Sequence, residues 1–167
     1  MTDENLIKLY RERMAAAETP KNRLLATADF LSETFLVNKD EIAIFIYDSS
    51  REVLVFAWPD SLKGVGSIPL NAHRCLVAKC AQELCGGLDN SFASTPHLHM
   101  FEHFISEKEK RIPIQKIMSV PVVSNKLLRG VIQIAKKGAD RESAGVDFTT
   151  ADLKLLEALA GEFAEYI

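Results

Sequence analysis

The sequence predicts an α+β fold: a central, mostly antiparallel sheet of five to six strands with the terminal helices packed on one face. Two pairs of apolar runs are each joined by a short polar turn, and strands joined in this way run antiparallel. Helical periodicity at both ends of the chain predicts helices that bury one face against that sheet.

Composition limits the class of function. The chain has 167 residues, of which 47% are apolar and 26% charged, enough for one core. Its net charge of -3 argues against a nucleic-acid surface, since phosphate binding requires clustered positive charge. No run approaches the roughly 18 apolar residues of a membrane span, and the N-terminus is polar. We expect a cytoplasmic protein, with no nucleic-acid or membrane partner, whose cysteines remain thiols.

The first 18 residues read as an amphipathic helix. Its apolar stripe exceeds what one compact domain needs, so residues 1–18 are predicted to be a dimerisation helix and residues 19–167 the domain proper. The chain is accordingly expected to be a homodimer. The stripe consists of Leu6, Ile7, Tyr10, Met14 and Ala17.

A second helix and the first hairpin follow. Pro20 suits the first position of a helix, and the helical spacing ends near Val37. Residues 42–47 are apolar at every position, which predicts a central strand buried on both faces. The chain turns over residues 48–51 and returns as a strand over residues 53–58.

The middle of the chain is less regular. Residues 67–70 predict a short strand, which Pro69 places at an edge of the sheet. Gly86-Gly87 is expected to end the next helix, and a long loop with a short helix near residues 96–106 is expected over residues 88–114. The apolar face of the helix before that loop carries Leu76, Val77, Cys80 and Leu84.

The last third of the chain has the clearest signals. Apolar runs over residues 117–123 and 127–135, joined by a Ser-Asn-Lys turn, predict a second hairpin. Thr149 can cap the final helix together with Asp152, three residues later. Phe148 and Leu153 can close a hydrophobic staple around that cap. The apolar face of this helix carries Leu153, Leu156, Leu159, Ala160, Phe163 and Ile167.

The order and spacing of these segments resemble a GAF domain, a sensor module that binds small ligands and pairs with itself. The likeness covers roughly residues 22–167 and includes the segments 66–70, 118–122, 130–134 and 148–156. It implies a pocket between the second face of the sheet, the helix after the third strand and the long loop. By their place in this resemblance, the ligand-binding candidates are Ser67, Asp89, Asn90, Phe92, His99, His103 and Ser119.

The resemblance does not extend to the cyclic-nucleotide pattern. Members that bind cyclic nucleotides carry Asn-Lys, a gap, and then Phe-x-x-x-Asp-Glu. This chain has Lys136-Lys137, Phe148 and Asp152, but Leu153 replaces the final acid and the asparagine is missing. The sequence therefore favours a structural interpretation of Phe148 and Asp152 as staple and cap.

Two histidines add a further possibility. On a helix His99 and His103 would face the same way and could ligate a metal ion or haem. They could instead bind an anionic ligand or be solvated loop residues, and the sequence names no cofactor.

The cysteines give no enzymatic signal. Cys75, Cys80 and Cys85 lie five apart, an interval that turns about 140° on a helix, so they share no face. Free-methionine-sulfoxide reductases, which are GAF-like enzymes, carry a cysteine in a Gly-Val-x-Gly segment, and residues 64–66 here have none.

The predicted function is that of a non-enzymatic sensory domain of a bacterial regulator. A small molecule would shift its terminal helices through unequal affinity for two states. The alternatives are a dimerisation or interaction module without a ligand, and a metal or haem sensor that uses His99 and His103.

Overall fold

The computed structural model describes residues 1–95 and 112–167. Within these ranges the helices are α1 (Asp3–Ala16), α2 (Pro20–Phe35), α3 (Leu76–Glu83) and α4 (Thr150–Phe163). The strands are β1 (Ile42–Asp48), β2 (Val53–Trp58), β3 (Ser67–Pro69), β4 (Gly87–Asp89), β5 (Ile114–Ser124) and β6 (Leu127–Lys137).

The strands form one antiparallel sheet in the order β3-β2-β1-β6-β5-β4. The predicted α+β class is confirmed, as are the central position of β1 and the edge position of β3. Residues 42–45 of β1 are fully buried, as expected for a strand covered on both faces.

Alternation along the strands divides the core into two layers. Ile42 and Ile44 face one side and pack with the buried faces of α1, α2 and α4. Ala43 and Phe45 face the other side and pack with α3. The terminal helices therefore share one face of the sheet, and α3 lies on the opposite face.

The N-terminal helix packs into the core of its own chain. Tyr10 and Met14 are buried, and the hydroxyl groups of Tyr10 and Thr27 are hydrogen-bonded at 2.8 Å. The expectation that the apolar stripe exceeds the needs of one domain is wrong for these two residues, because α2 and the sheet supply their neighbours. Leu6 and Ile7 stay only partly buried.

The second hairpin turns as its sequence predicts. Asn125 and Lys126 have φ values of 52° and 64°, the left-handed pair that a two-residue hairpin turn requires. Gly130 is required beyond the turn, because a Cβ there would lie 2.1 Å from the carbonyl oxygen of Phe45 on β1.

The start of α4 is the predicted capping box. The Asp152 amide donates to Thr149 Oγ1 at 3.1 Å, and the Thr149 amide donates to Asp152 Oδ2 at 2.8 Å. Lys136 Nζ lies 4.4 Å from the centre of the Phe148 ring. The residues left from the cyclic-nucleotide pattern thus have local structural partners.

The region after α3 differs from the prediction. The helix ends at Glu83, its C-cap Leu84 takes the left-handed conformation, and Gly87 already begins β4. The two glycines serve close packing: a Cβ at Gly86 would lie 2.5 Å from Glu157 Oε1, and one at Gly87 would lie 3.0 Å from Leu76 Cδ1. The predicted loop therefore begins as a strand, too short to produce a recognisable alternation. The helix predicted near residues 96–106 lies outside the described residues.

The described helices include none that is both long enough and apolar enough to span a bilayer.

Candidate functional site

A cavity of about 520 Å³ opens between α3, the segment before it, and β4. The turn over residues 71–75 leads into α3, and β4 pairs with β5, so one wall comes from the start of α3 and the other from an edge strand of the sheet. The volume lies within the 300–1,000 Å³ typical of small-molecule sites.

The cavity has an apolar part. Leu76, Leu88 and the buried ring of Phe92 contribute carbon surface to its lining. Leu88 also packs against the core beneath the terminal helices. Leu88 therefore lines the cavity and also contacts the core layer formed with α1, α2 and α4.

The cavity also has a cationic part. His73 and Arg74 precede α3, and Lys79 is its fourth residue; all three are exposed and line the cavity. Within residues 1–95 and 112–167, none of the three side chains makes a hydrogen bond or an ion pair.

Asp89 lines the cavity, but its carboxylate is occupied. Oδ1 accepts from the Ser91 amide at 2.8 Å, and Oδ2 accepts from the Thr95 hydroxyl at 2.7 Å. Asp89 therefore fixes the turn that follows β4 and carries Phe92 into the cavity.

Asn90 connects this wall to α4. Its Nδ2 donates to the carbonyl oxygen of Phe148 at 2.9 Å, and its Oδ1 accepts from the Phe148 amide at 2.9 Å. Phe148 is the residue before the N-cap of α4. The same side chain that was predicted to bind a ligand thus holds both backbone groups of the residue that precedes the helix.

The remaining candidates lie elsewhere. Ser67 pairs with Val55 at the sheet edge, and Ser119 is fully buried, with its hydroxyl 3.3 Å from Gln133 Oε1. Neither residue lines the cavity, whereas Asp89 and Phe92 do. His99 and His103 lie outside the described residues, so their predicted roles remain predictions.

The sequence prediction missed His73 and the cavity cations Arg74 and Lys79. A signal was present, because His73-Arg74 directly precedes a helix N-terminus, where the helix dipole disfavours positive charge. Cations at such a position indicate that something other than the dipole determines their placement.

The thiols are not activated in this structure. Burial raises the pKa of Cys75, which lines the cavity, and raises that of Cys80 to about 12. Desolvation and the neighbouring Glu83 raise the pKa of the exposed Cys85. A nucleophilic cysteine needs the opposite shift, because the thiolate is the reactive form.

No group of three or more histidine, cysteine, aspartate or glutamate side chains is placed to hold a metal ion in the part of the chain that the structure describes. The predicted metal or haem site would depend on histidines beyond that part.

Comparison with known proteins gives structural relatives only. No family sequence model matches the chain, and no curated protein matches it in sequence. The GAF domain of the Acinetobacter phosphoenolpyruvate-protein phosphotransferase superimposes with a TM-score of 0.73 at 15% identity, covering 99% of this chain and 93% of that one. The corresponding domain from Coxiella burnetii gives a TM-score of 0.76 at 12% identity, covering 98% and 90%.

An enzyme is also among the similar structures. Free methionine-R-sulfoxide reductase from Neisseria meningitidis, solved with its substrate, superimposes with a TM-score of 0.68 at 17% identity, covering 98% of this chain and 86% of that one. At these identities the likeness establishes the fold alone. The fold is GAF-like, and it is shared by signalling domains and by an enzyme.

Proposed function

We propose that this chain, whose fold is GAF-like, is a non-enzymatic sensory or regulatory domain that binds a small molecule in the cavity between α3 and β4. Binding would change the packing of the terminal helices. The observation that carries this proposal is the pair of hydrogen bonds between the Asn90 side chain, next to the cavity wall, and the backbone of Phe148, which precedes α4.

The route from the cavity to the helices is short. A ligand that moves β4 acts on Phe148 through Asn90 and on the terminal-helix core through Leu88. At its other end α4 is tied to α1, because Arg11 Nε donates to Glu162 Oε2 at 2.7 Å. A ligand can use this route only if it binds two arrangements of β4 with different affinity.

The state of the thiols supports a binding role over catalysis by cysteine. The pKa of Cys75 is raised by burial although this residue lines the cavity. Reduction of a sulfoxide by thiols also requires a resolving partner for the first cysteine. We therefore expect no turnover when the protein is incubated with free methionine sulfoxide and dithiothreitol, and measurable turnover would contradict this part of the proposal.

The proposal includes a homodimer and a cytoplasmic location. The support for dimerisation is now restricted to the partly exposed Leu6 and Ile7, since the rest of the stripe is buried within the chain. The support for the location is that all three cysteines are free thiols, as in a reducing compartment.

The test has two stages. Purified protein is equilibrated with a metabolite extract, freed of unbound material by rapid buffer exchange, and the retained compounds are identified by mass spectrometry. Hydrogen exchange is then measured with the identified compound. We expect stoichiometric retention and slower exchange in residues 150–156 of the parent protein.

The Asn90→Ala variant distinguishes binding from transmission. It should retain the compound but lose most of the change in α4, while Asn71→Ala, which replaces an exposed asparagine, should behave as the parent does. A protein that retains no compound, or a compound whose effect stays within residues 72–95, would contradict the proposal. Bound metal or a haem absorption band in the purified protein would instead favour the alternative based on His99 and His103.

A further inference from the structure

We infer that the ligand of the α3–β4 cavity carries an anionic group, a carboxylate or a phosphate, and that Arg74 and Lys79, with His73 beside them, are the residues that hold it. This inference rests on the proposed function, because it names the chemistry of the same site.

The first argument is that the side chains of these residues have no hydrogen-bond or ion-pair partner among residues 1–95 and 112–167. Among the described residues, the buried Lys116 is paired with Asp147 and the exposed Arg11 with Glu162. In the described ranges the side chains of His73, Arg74 and Lys79 make no hydrogen bond or ion pair, although all three line one cavity. Their donors are therefore available to a molecule that enters it.

The second argument concerns the carboxylate in the same lining. Within the described residues, Asp89 contributes the acidic side chain of the cavity, and both its oxygens already accept hydrogen bonds from Ser91 and Thr95. These donors are neutral, so Asp89 keeps its negative charge but is not ion-paired with Arg74 or Lys79. Arg74 and Lys79 together outnumber this single carboxylate, so the described lining has a net positive charge, which favours a negatively charged occupant.

The third argument is the position of the cations at the start of α3. The partial positive charge of a helix N-terminus adds to the charges of Arg74 and Lys79, so the two cations and the helix end repel one another. Cys75, at the N-cap, supplies only sulfur, a weak acceptor, in place of the oxygen that usually satisfies the first amides. A bound anion would offset the repulsion between these positive charges, and it would also accept hydrogen bonds from the first amides of α3.

The remaining lining determines the rest of the ligand. Leu76, Leu88 and Phe92 form the apolar part, so the anionic group is expected to be attached to a small carbon body. Arginine suits a planar carboxylate or a phosphate through its forked donors, and lysine adds a point charge.

The test uses three probes that share one apolar body: benzoate, phenyl phosphate and the neutral benzamide. Each is titrated at constant ionic strength into isotopically labelled protein, and the amide shifts are followed by NMR. We expect at least one anionic probe to shift the amides of residues 73–79 and 87–90 saturably, with benzamide about tenfold weaker or more. The order of benzoate and phenyl phosphate then distinguishes a carboxylate from a phosphate ligand.

The double variant Arg74→Gln with Lys79→Gln should lower the affinity for the anionic probes at least about tenfold, since each charge-assisted hydrogen bond contributes that much. The matched control is Lys126→Gln with Lys154→Gln. Like Arg74, Lys126 has a positive φ, and like Lys79, Lys154 is an exposed lysine on a helix. The control should bind as the parent does.

Three results would overturn the inference. The first is an equal loss of affinity for the anionic probes in the double variant and in the control. The second is an affinity for these probes that the double variant does not change. The third is that neither anionic probe binds the parent protein. Tight binding of benzamide at the same amides, unaffected by the double variant, would overturn the anionic chemistry but leave the proposed small-molecule site standing. The two proposals therefore fail in different ways.

Discussion

Asn90 and Phe148 form a two-point contact that joins the cavity wall to the last helix. The asparagine amide donates to the carbonyl oxygen of Phe148 and accepts from its amide, each at 2.9 Å. Because Phe148 is itself buried, its backbone depends on this side chain for both bonds. The side chain therefore acts as a link between two elements that are distant in sequence.

Replacing Asn90 by alanine should lower the free energy of unfolding by about 2 kcal/mol, since two hydrogen bonds at a half-buried position are lost. The measurement is equilibrium denaturation in urea. The matched control, Asn71→Ala at an exposed asparagine, should change stability by less than about 0.5 kcal/mol. Equal effects for the two variants would show that the link contributes nothing.

Gly130 and Gly161 should respond oppositely to alanine. At Gly130 the new Cβ would meet the carbonyl oxygen of Phe45, backbone that cannot move aside, so we expect a loss of about 3 kcal/mol. At Gly161, in α4, nothing lies within 4 Å of the added Cβ, and the helix should gain about 1 kcal/mol. The measurement is the thermal unfolding of both variants. If Gly130→Ala were as stable as the parent, β1 and β6 would have to lie further apart than in the structure.

Alanine substitutions at Thr149, the N-cap of α4, and at the neighbouring Thr150 should have different effects on stability. Thr149→Ala removes the side chain that accepts from the Asp152 amide and should cost about 1 kcal/mol. Thr150→Ala, one position further and exposed, should be neutral or slightly stabilising because alanine is the better helix former. Denaturant midpoints compare the two, and a larger effect at Thr150 would refute the assigned cap.

Acid should weaken the loop before α4 through Asp147. Hydrogen bonds from Arg141 and Lys116 lower the pKa of this carboxyl from 3.8 to about 2. A depressed pKa in the folded state stabilises the protein above about pH 4, and that contribution is lost as the pH falls from about 4 towards 2.

Asp147→Asn should therefore be less stable than the parent near neutral pH, and the difference should shrink as the pH falls through that window. Asp140→Asn is a useful comparison, because the lowered pKa of Asp140 comes from Ser143 and involves no buried cation. The measurement is the free energy of unfolding as a function of pH. A difference between the parent and Asp147→Asn that stays constant over this pH range would contradict the lowered pKa of Asp147.

The proposed homodimer should depend on the outer part of the α1 stripe. Ile7→Lys places a charge at a partly exposed apolar position, while Ala15→Lys does the same at an exposed one. Light scattering at micromolar concentration should give a dimer for the parent and for Ala15→Lys, and a monomer for Ile7→Lys. A monomeric parent would refute the dimer.

Local signals made the two hairpins and the last helix predictable. The turn at Asn125-Lys126, the edge position of the strand with Pro69 and the cap at Thr149 each depend on residues within a few positions of one another. Such features follow from backbone preferences and short hydrogen bonds, which a sequence displays directly. The continuous apolar run of β1 likewise predicted its burial, because a strand covered on both faces carries apolar residues at every position.

Features that depend on distant residues were decided by the tertiary structure. β4 is a strand only because β5 pairs with it, and Asn90 became a structural link only because Phe148, 58 positions later, lies beside it. The burial of Tyr10 and Met14 depended on how α2 and the sheet pack against α1. That Arg74 and Lys79 have no side-chain partner in the described part of the chain could not be read from the sequence either, because a charge is known to lack a partner only when its neighbours in space are known.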